Sequence, residues 1–232
     1  MKGKLIVFEG MDNTGKTSVS KEFTKLLKNS EYSNDAIWTC QPGSDYGEHS
    51  SFIKRMCKDK DLPLNKVSRM LSFMIDRSEQ IDKIITPELS NGNDVICDRW
   101  AYSTHAYQLT DSDIKESMRK SFDRKLKGYD YPQKMQKVDE LLDYFIQVGT
   151  LEITPDIVFY FPQELDNKRE IPENDFYENT EDLYKNKVRR AYNKLARGDN
   201  WITVYPENSV KETVKKCFYY YKDFINKSKR HN

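Results

Sequence analysis

The chain lacks an excess of charge of either sign, and it lacks long apolar runs. Its 232 residues carry 38 basic and 37 acidic side chains, for a formal net charge of +1. Such a balance indicates no general attraction to nucleic acid or to an anionic membrane surface. No apolar stretch approaches the roughly 20 residues of a membrane span, and the first residues lead into an apolar strand rather than a signal peptide. We therefore expect a cytoplasmic protein (host cytoplasm if the source is viral) that binds neither nucleic acid nor membrane.

Paired cysteines and metal-binding histidine spacings are missing as well. The four cysteines are scattered without a C-x-x-C pair, and the three histidines show no metal-ligand spacing. Scattered cysteines within apolar strands are typical of structural thiols in a reducing compartment. The sequence therefore argues against a disulfide framework and against a zinc site.

What the chain does contain is a glycine-rich loop in the right setting. Residues 10–17, Gly-Met-Asp-Asn-Thr-Gly-Lys-Thr, fit the pattern G-x-x-x-x-G-K-[ST] between an apolar run at 4–9 and a helical pattern at 18–28. In this strand–loop–helix context, glycines free the backbone N–H groups to surround phosphates, and the helix N-terminus adds its dipole. Lys16 would reach the β- and γ-phosphates, and the Thr17 hydroxyl would bind Mg²⁺. The predicted ATP-binding residues are Gly10, Asp12, Asn13, Thr14, Gly15, Lys16, Thr17 and Ser18.

Apolar runs alternate with helical patterns along the rest of the chain. Strands are predicted over 4–9, 36–40, 94–98, 156–161 and 201–205. Helices are predicted over 15–29, about 47–58, 66–91, 99–109, 134–148, 180–197 and 208–226. This alternation predicts a three-layer α/β fold, with a parallel five-stranded sheet and helices on both faces.

The whole chain, 1–232, is predicted to form one domain with two irregular segments. Residues 110–133 are strongly charged and are either a helical insertion, a mobile excursion or a solvated surface loop. Residues 162–179 are polar and follow the fourth strand, which favours a lid over a plain surface loop.

A second group of polar residues follows the third strand. Asp98 ends that strand, where it would assist in holding Mg²⁺, and Arg99 comes directly after it at the carboxyl edge of the sheet. Arg99, Ser103 and Tyr107 recur every four residues and would share one helix face. An arginine fork suits a phosphate monoester because it donates two N–H bonds at once.

A stripe within the long predicted helix at 66–91 has a comparable spacing. Arg69, Phe73 and Arg77 recur every four residues, so an aromatic ring lies between two donors. The stripe could form a platform for stacking a base, or it could be partly core and partly solvated surface.

Taken together, these segments resemble the successive signatures of the thymidylate kinase family. The matching segments run in the right order between residue 4 and about residue 205, and they are specific in combination rather than singly. They are Phe8–Thr17, Phe73 with Arg77, Asp98–Gln108, Asp175–Asn179, and Tyr184, Val188, Arg189 and Tyr192.

The resemblance implies a P-loop nucleoside monophosphate kinase fold and a homodimer, with ATP, a deoxypyrimidine monophosphate and Mg²⁺ as small-molecule partners. It implies a substrate site of Asp12, Phe73, Arg77, Arg99, Ser103, Tyr107 and Gln108. Asp12 would accept a hydrogen bond from the sugar 3′-hydroxyl, and Phe73 would stack on the base. Arg77 would donate to a base carbonyl, and Tyr107 would crowd the 2′ position and disfavour ribonucleotides.

Two departures from the family pattern concern cations. Some relatives carry an arginine in the phosphate loop where this chain has Asn13, so Lys168 or Arg169 in the predicted lid is expected to supply that charge. Bacterial relatives read T-R-E-P-G-G after the second strand, where residues 39–44 here are Thr-Cys-Gln-Pro-Gly-Ser. Arg55 or Arg69 is the candidate replacement for that missing arginine.

The predicted reaction is transfer of the γ-phosphoryl group of ATP to a deoxypyrimidine 5′-monophosphate, with dTMP as the expected acceptor. Lys16, Asp98, Arg99 and Arg169 are the predicted catalytic residues, and Thr17 and Asp98 the predicted metal ligands. A kinase for dUMP or a 5-modified deoxyuridylate would keep the same residues and stays open. A nucleoside kinase fits less well, and so does a P-loop ATPase or GTPase switch, since no N-K-x-D guanine motif occurs.

Overall fold

The computed structural model describes residues 2–33, 35–108, 110–163 and 182–230. Its five strands are β1 (Leu5–Gly10), β2 (Ala36–Cys40), β3 (Asp94–Asp98), β4 (Ile157–Phe161) and β5 (Trp201–Thr203). Neighbouring strands are parallel, and they form one sheet in the order β2-β3-β1-β4-β5. The predicted strands and their parallel pairing are therefore confirmed.

Helices follow each strand. They are α1 (Lys16–Lys28), α2 (Ser50–Lys58), α3 (Lys66–Gln80), α4 (Thr86–Ser90), α5 (Ala101–Gln108), α6 (Ser112–Ser121), α7 (Tyr131–Val148), α8 (Asp182–Leu195) and α9 (Val210–Arg230), with a π-helical segment at Ile81–Ile85 between α3 and α4. None of these described helices has an apolar stretch long enough to cross a lipid bilayer.

Helices cover both faces of the sheet. Alternate residues of a strand point to opposite faces, so each strand contributes side chains to two buried clusters. On one face, Ile6 and Phe8 of β1 join a buried cluster with Phe23 of α1 and Tyr221 of α9. On the other face, neighbouring β1 side chains pack with residues of α3 and α7. The central strand β1 is buried along its whole length. The packing around β1 therefore fixes the starting point of the glycine-rich loop that follows it.

The structure adds detail to two segments of the predicted chain. The helix predicted over 66–91 is interrupted by the π-helical segment, and α4 has a proline in its first turn. Proline suits a helix start because its missing N–H has no partner there anyway. The segment 110–133 contains helix α6, followed by turns, and α7 begins at Tyr131 behind a capping box made by Asp130 and Gln133.

Candidate active site

The glycine-rich loop joins β1 to α1, as predicted. Gly10 has a φ of 147°, and a Cβ there would lie 2.4 Å from the carbonyl oxygen of Phe161. Gly15, directly before α1, has a φ of 82°. Both positions therefore need glycine, one because of the close approach of β4 and the other because of its left-handed backbone.

Lys16 lies folded over this loop and is almost fully buried. Its ammonium group lies 3.4 Å from the carbonyl oxygen of Met11 and 3.5 Å from a carboxylate oxygen of Asp12. The first turn of α1 contains no acidic residue. The helix N-terminus and the lysine therefore present positive charge at the same place, which is the arrangement that phosphate groups require.

Thr17 and Asp98 meet at the end of β3. The Thr17 hydroxyl donates to one carboxylate oxygen of Asp98. The other carboxylate oxygen is buried and has no hydrogen-bond partner within the described residues. A buried carboxylate oxygen without a donor is rare, and these oxygen donors suit Mg²⁺. No cluster of three or more His, Cys, Asp or Glu side chains occurs in the described parts of the chain, so further ligands would have to come from phosphate and water.

Arg99 is bound on several sides at the start of the β3–α5 connection. Its guanidinium forms an ion pair with Asp12, lies 3.0 Å from the Ser103 hydroxyl and lies 3.4 Å from that of Tyr192. Arg99 has a φ of 74°, which a non-glycine residue adopts at a cost of roughly 1–3 kcal/mol. Burial disfavours the charged form of Arg99, but Asp12, together with Tyr107, Tyr192 and Asp98, outweighs burial and raises the pKa of Arg99.

Asp12 is the acid at the centre of this cluster. Burial would raise the pKa of its carboxyl group, but the charges of Arg99, Lys16 and Lys58 outweigh burial and hold that pKa well below its usual range. The Tyr107 hydroxyl also donates to this carboxylate, over 3.2 Å. Asp12 is therefore ionised and surrounded by donors.

Glu9 is a structural acid of the site that the sequence analysis did not single out. Its carboxylate is fully buried and accepts hydrogen bonds from the backbone N–H groups of Trp100 and Ser103, over 2.8 and 3.1 Å. The hydroxyl groups of Ser103 and Tyr192 donate to its other oxygen. Burial raises the pKa of Glu9, while the Arg99 charge opposes that change. Its position in an apolar strand run gave no signal of this role.

A cleft opens between the loop, α2, α3 and α5. It brings together all seven residues predicted for the substrate: Asp12, Phe73, Arg77, Arg99, Ser103, Tyr107 and Gln108. Its lining also includes Gln41, Pro42, Lys58, Trp100 and Thr104. The predicted residues from three separate sequence segments therefore share one cavity.

Arg77 is held inside this cleft by neutral groups. Its Nε donates to the Gln41 carbonyl oxygen over 2.9 Å, and its Nη2 donates to the Thr104 hydroxyl over 2.6 Å. Gln41 is held in turn by Gln80, whose own amide donates to the backbone carbonyl of Cys40. The Nη1 atom of Arg77 is buried without a hydrogen-bond partner in the part of the chain that the structure describes. A donor is therefore left over for a group that enters the cleft.

The electrostatic surroundings of Arg77 leave its charge only partly balanced. Burial lowers the pKa of Arg77 to about 10, against the opposing charges of Glu9 and Asp76. The guanidinium is still protonated at neutral pH. Because its hydrogen-bond partners are an amide and a hydroxyl, a carbonyl oxygen of a ligand would be a favourable further partner.

The candidate cations outside the cleft have other positions. Arg69 is buried and donates to the carbonyl oxygens of Met56, Cys57 and Leu62 over 3.1, 3.3 and 3.0 Å. The Nε of Arg55 donates to Asp59 over 2.8 Å on the exposed side of α2. Neither arginine lines the cleft, so neither replaces the missing family arginine in this structure. Lys168 and Arg169 lie outside the described residues.

Comparisons with known proteins agree with this geometry. A sequence profile of the thymidylate kinase family matches residues 8–128, just over half of the chain. A thymidylate kinase of Prochlorococcus marinus strain MIT 9312 is 30% identical over 222 residues, which cover 91% of this chain and 92% of that protein. The thymidylate kinase of strain AS9601 is 29% identical over 228 residues, covering 94% and 98%.

Two solved structures have a similar fold. Thymidylate kinase of Ehrlichia chaffeensis matches with a TM-score of 0.66 at 21% identity, over 96% of this chain and 100% of that one. Thymidylate kinase of Candida albicans matches with a TM-score of 0.67 at 19% identity, over 100% and 94%. At these identities the likeness concerns the fold, and it confirms the predicted P-loop kinase architecture.

The support that Gln41 gives to Arg77 leads to a stability prediction. Gln41→Leu leaves the buried Nε without its acceptor, and we expect the free energy of unfolding to fall by about 2 kcal/mol. Gln41→Glu keeps an acceptor at that position and should stay closer to the parent. Urea unfolding measures both, with Gln147→Leu at an exposed position as the control. Equal stability of Gln41→Leu and the control would contradict the proposed support.

Proposed function

The chain belongs to the thymidylate kinase family, and from that premise we propose how its residues transfer a phosphoryl group from ATP to dTMP. The observation that carries the proposal is the shared cavity, which brings a base-sized apolar wall, a free guanidinium donor and a cationic cluster next to the phosphate loop. The acceptor is itself a phosphate oxyanion, so the reaction needs positioning and charge neutralisation rather than a strong general base.

On the donor side, the phosphate loop holds the β- and γ-phosphates of ATP. The backbone N–H groups of residues 10–17 and the N-terminus of α1 supply the donors. Lys16 is already buried at this position, and its ammonium exchanges the Met11 carbonyl for a phosphate oxygen. Thr17 and Asp98 would hold Mg²⁺, which when bound neutralises part of the phosphate charge.

On the acceptor side, different residues of the cleft bind the phosphate, the sugar and the base of dTMP. Arg99 binds the 5′-phosphate, and Asp12 accepts a hydrogen bond from the 3′-hydroxyl. Phe73 stacks on the pyrimidine, while the unpartnered Nη1 of Arg77 donates to a base carbonyl. Tyr107 lies against Asp12 and occupies the space that a 2′-hydroxyl would need.

Further parts of the assignment rest on the family resemblance. Ser103 and Gln108 contribute to the wall of the cleft near the base. Arg169, with Lys168 as the alternative, is predicted to bring the transition-state cation from the lid.

All four cysteines are free thiols, which supports the expectation of a reducing compartment such as the cytoplasm.

A homodimer is the proposed assembly. Leu71 and Ile75 on α3 are 40% and 47% exposed, and Val148 and Leu151 at the end of α7 are 52% and 49% exposed. These two segments are adjacent, since a Cβ on Gly149 would lie 3.2 Å from the Met74 side chain. An exposed apolar face of this kind is typical of a subunit contact. We propose that a second copy of the chain covers it.

A coupled assay of ADP release tests the proposed function directly. With dTMP, dUMP, dCMP, UMP or no acceptor, we expect the highest kcat/KM for dTMP. The missing methyl group should weaken dUMP by about 10- to 200-fold. dCMP presents an amino group to the Arg77 donor, and UMP carries a 2′-hydroxyl, so both should react more slowly. ADP release at the same rate without acceptor would instead identify an ATPase.

Removing the phosphate-binding arginine tests the central residue. Arg99→Ala should lower kcat/KM for dTMP by about 10²- to 10³-fold, because a preorganised charge is lost next to the transferred group. Arg197→Ala changes an exposed arginine beyond α8 and serves as the control. Near-parental rates of Arg99→Ala at both limiting and saturating dTMP would show that another residue binds the acceptor phosphate.

The proposed subunit contact predicts a change in assembly. Leu71→Glu combined with Ile75→Glu places two carboxylates in a buried interface, so we expect the dimer to dissociate at micromolar concentration. Analytical ultracentrifugation measures the mass. Tyr219→Glu, at a 66% exposed position of α9, is the control. A parent chain that is already monomeric, or a double variant that stays dimeric, would rule out this face.

A further inference from the structure

The position of the arginine expected from bacterial relatives carries no charge in this chain. Cys40 stands there, opposite Asp98 in the neighbouring strand. A cysteine side chain has no positively charged form, so it cannot replace the charge of an arginine. The acceptor site therefore needs its second cation from another element, and the two arginines considered from the sequence do not reach the cleft.

Lys58 is a cation that does reach the cleft. It is the last residue of α2, and it lines the same cavity as Asp12, Phe73 and Arg99. Of the three basic residues in the last two turns of this fully described helix, the other two face elsewhere. Arg55 pairs with Asp59, and the Lys54 side chain lies beside Gly43. Lys58 thus lines the cleft from the end of α2, whereas Arg99 lines it from the connection before α5.

The charges around Asp12 also favour an additional anion. Arg99, Lys16 and Lys58 all act on this one carboxylate, and Arg99 and Lys16 lie within ion-pair distance of it. Among the described residues that line the cleft there are three cations, Lys58, Arg77 and Arg99, but one carboxylate, Asp12. A phosphate monoester carries up to two negative charges at neutral pH, so it would restore the balance where a neutral ligand could not.

We propose that Lys58 binds the 5′-phosphate of the acceptor nucleotide, opposite Arg99, in place of the arginine that relatives carry after the second strand. The proposal rests on the proposed function, because it assigns a residue to the acceptor of that reaction. A lysine on a helix end is a flexible point charge, whereas an arginine on a strand end is a fixed fork. The substitution therefore keeps the charge while changing the element that delivers it.

A comparison of dTMP with thymidine isolates this contact, since the two ligands differ by the phosphate alone. Lys58→Met keeps the length of the side chain and removes its charge. We expect it to weaken dTMP binding by about 10- to 100-fold, as loss of a charge-assisted hydrogen bond does, and to raise KM for dTMP similarly. Thymidine binding, measured by calorimetry, should stay unchanged, which also shows that the variant is folded. Lys58→Arg should retain most of the dTMP affinity.

Two neighbouring lysines provide matched controls. Lys60→Met removes an exposed charge just after α2, and Lys54→Met removes one that lies outside the cleft. The proposal is wrong if Lys58→Met leaves dTMP binding unchanged, if it weakens thymidine and dTMP equally, or if Lys54→Met has the larger effect. Absence of dTMP-dependent ADP release from the parent enzyme would instead contradict the proposed function, so the two failures are separable.

Discussion

The hydrogen bonds of the buried Glu9 carboxylate hold the two halves of the site together. Glu9 lies on β1, directly before the phosphate loop, and it binds donors from the β3–α5 turn and from α8. A buried carboxylate is costly unless donors surround it, and here one hydroxyl and two backbone N–H groups of neighbouring residues do so, with Tyr192 as a further donor. These hydrogen bonds position Arg99 relative to the phosphate loop, because Trp100 and Ser103, which follow it in the chain, are bound to Glu9 of β1.

The cleft concentrates positive charge in a chain that is nearly neutral overall. The net charge of +1 gives no general attraction to polyanions, whereas Lys16, Lys58, Arg77 and Arg99 all lie at or beside one cavity. Low-dielectric walls strengthen such a local field and attract small anionic ligands. Phosphorylated substrates can thus be bound without a basic surface. Arg77 is held by the Gln41 amide and the Thr104 hydroxyl, which leave one of its donors unused within the described residues for the proposed contact with a base carbonyl.

Residues that act within one short segment could be predicted from the sequence. The phosphate loop depends on neighbouring residues and on the strand and helix that flank it, so its setting was predicted correctly. The stripe of Phe73 and Arg77 was ambiguous by spacing alone; the family resemblance favoured a substrate-binding role, and both residues line the cleft. The π-helical segment between α3 and α4 was missed, because it continues the helical backbone directly and has no sequence motif of its own. The helix at 112–121 was only one of several alternatives, since strongly charged segments also occur as solvated loops.

The sequence by itself determined the order of strands and helices, the phosphate loop and the set of side chains that could meet a nucleotide. Those features follow from local periodicity and from motifs of contiguous residues. Only the tertiary structure decided which cations face the cleft. Arg55, Lys58 and Arg69 look equivalent in the sequence, yet one pairs on the surface, one lines the cavity and one supports a loop. The direction of a side chain depends on how α2 and α3 pack against the sheet, and that packing is set by contacts between residues far apart in the chain.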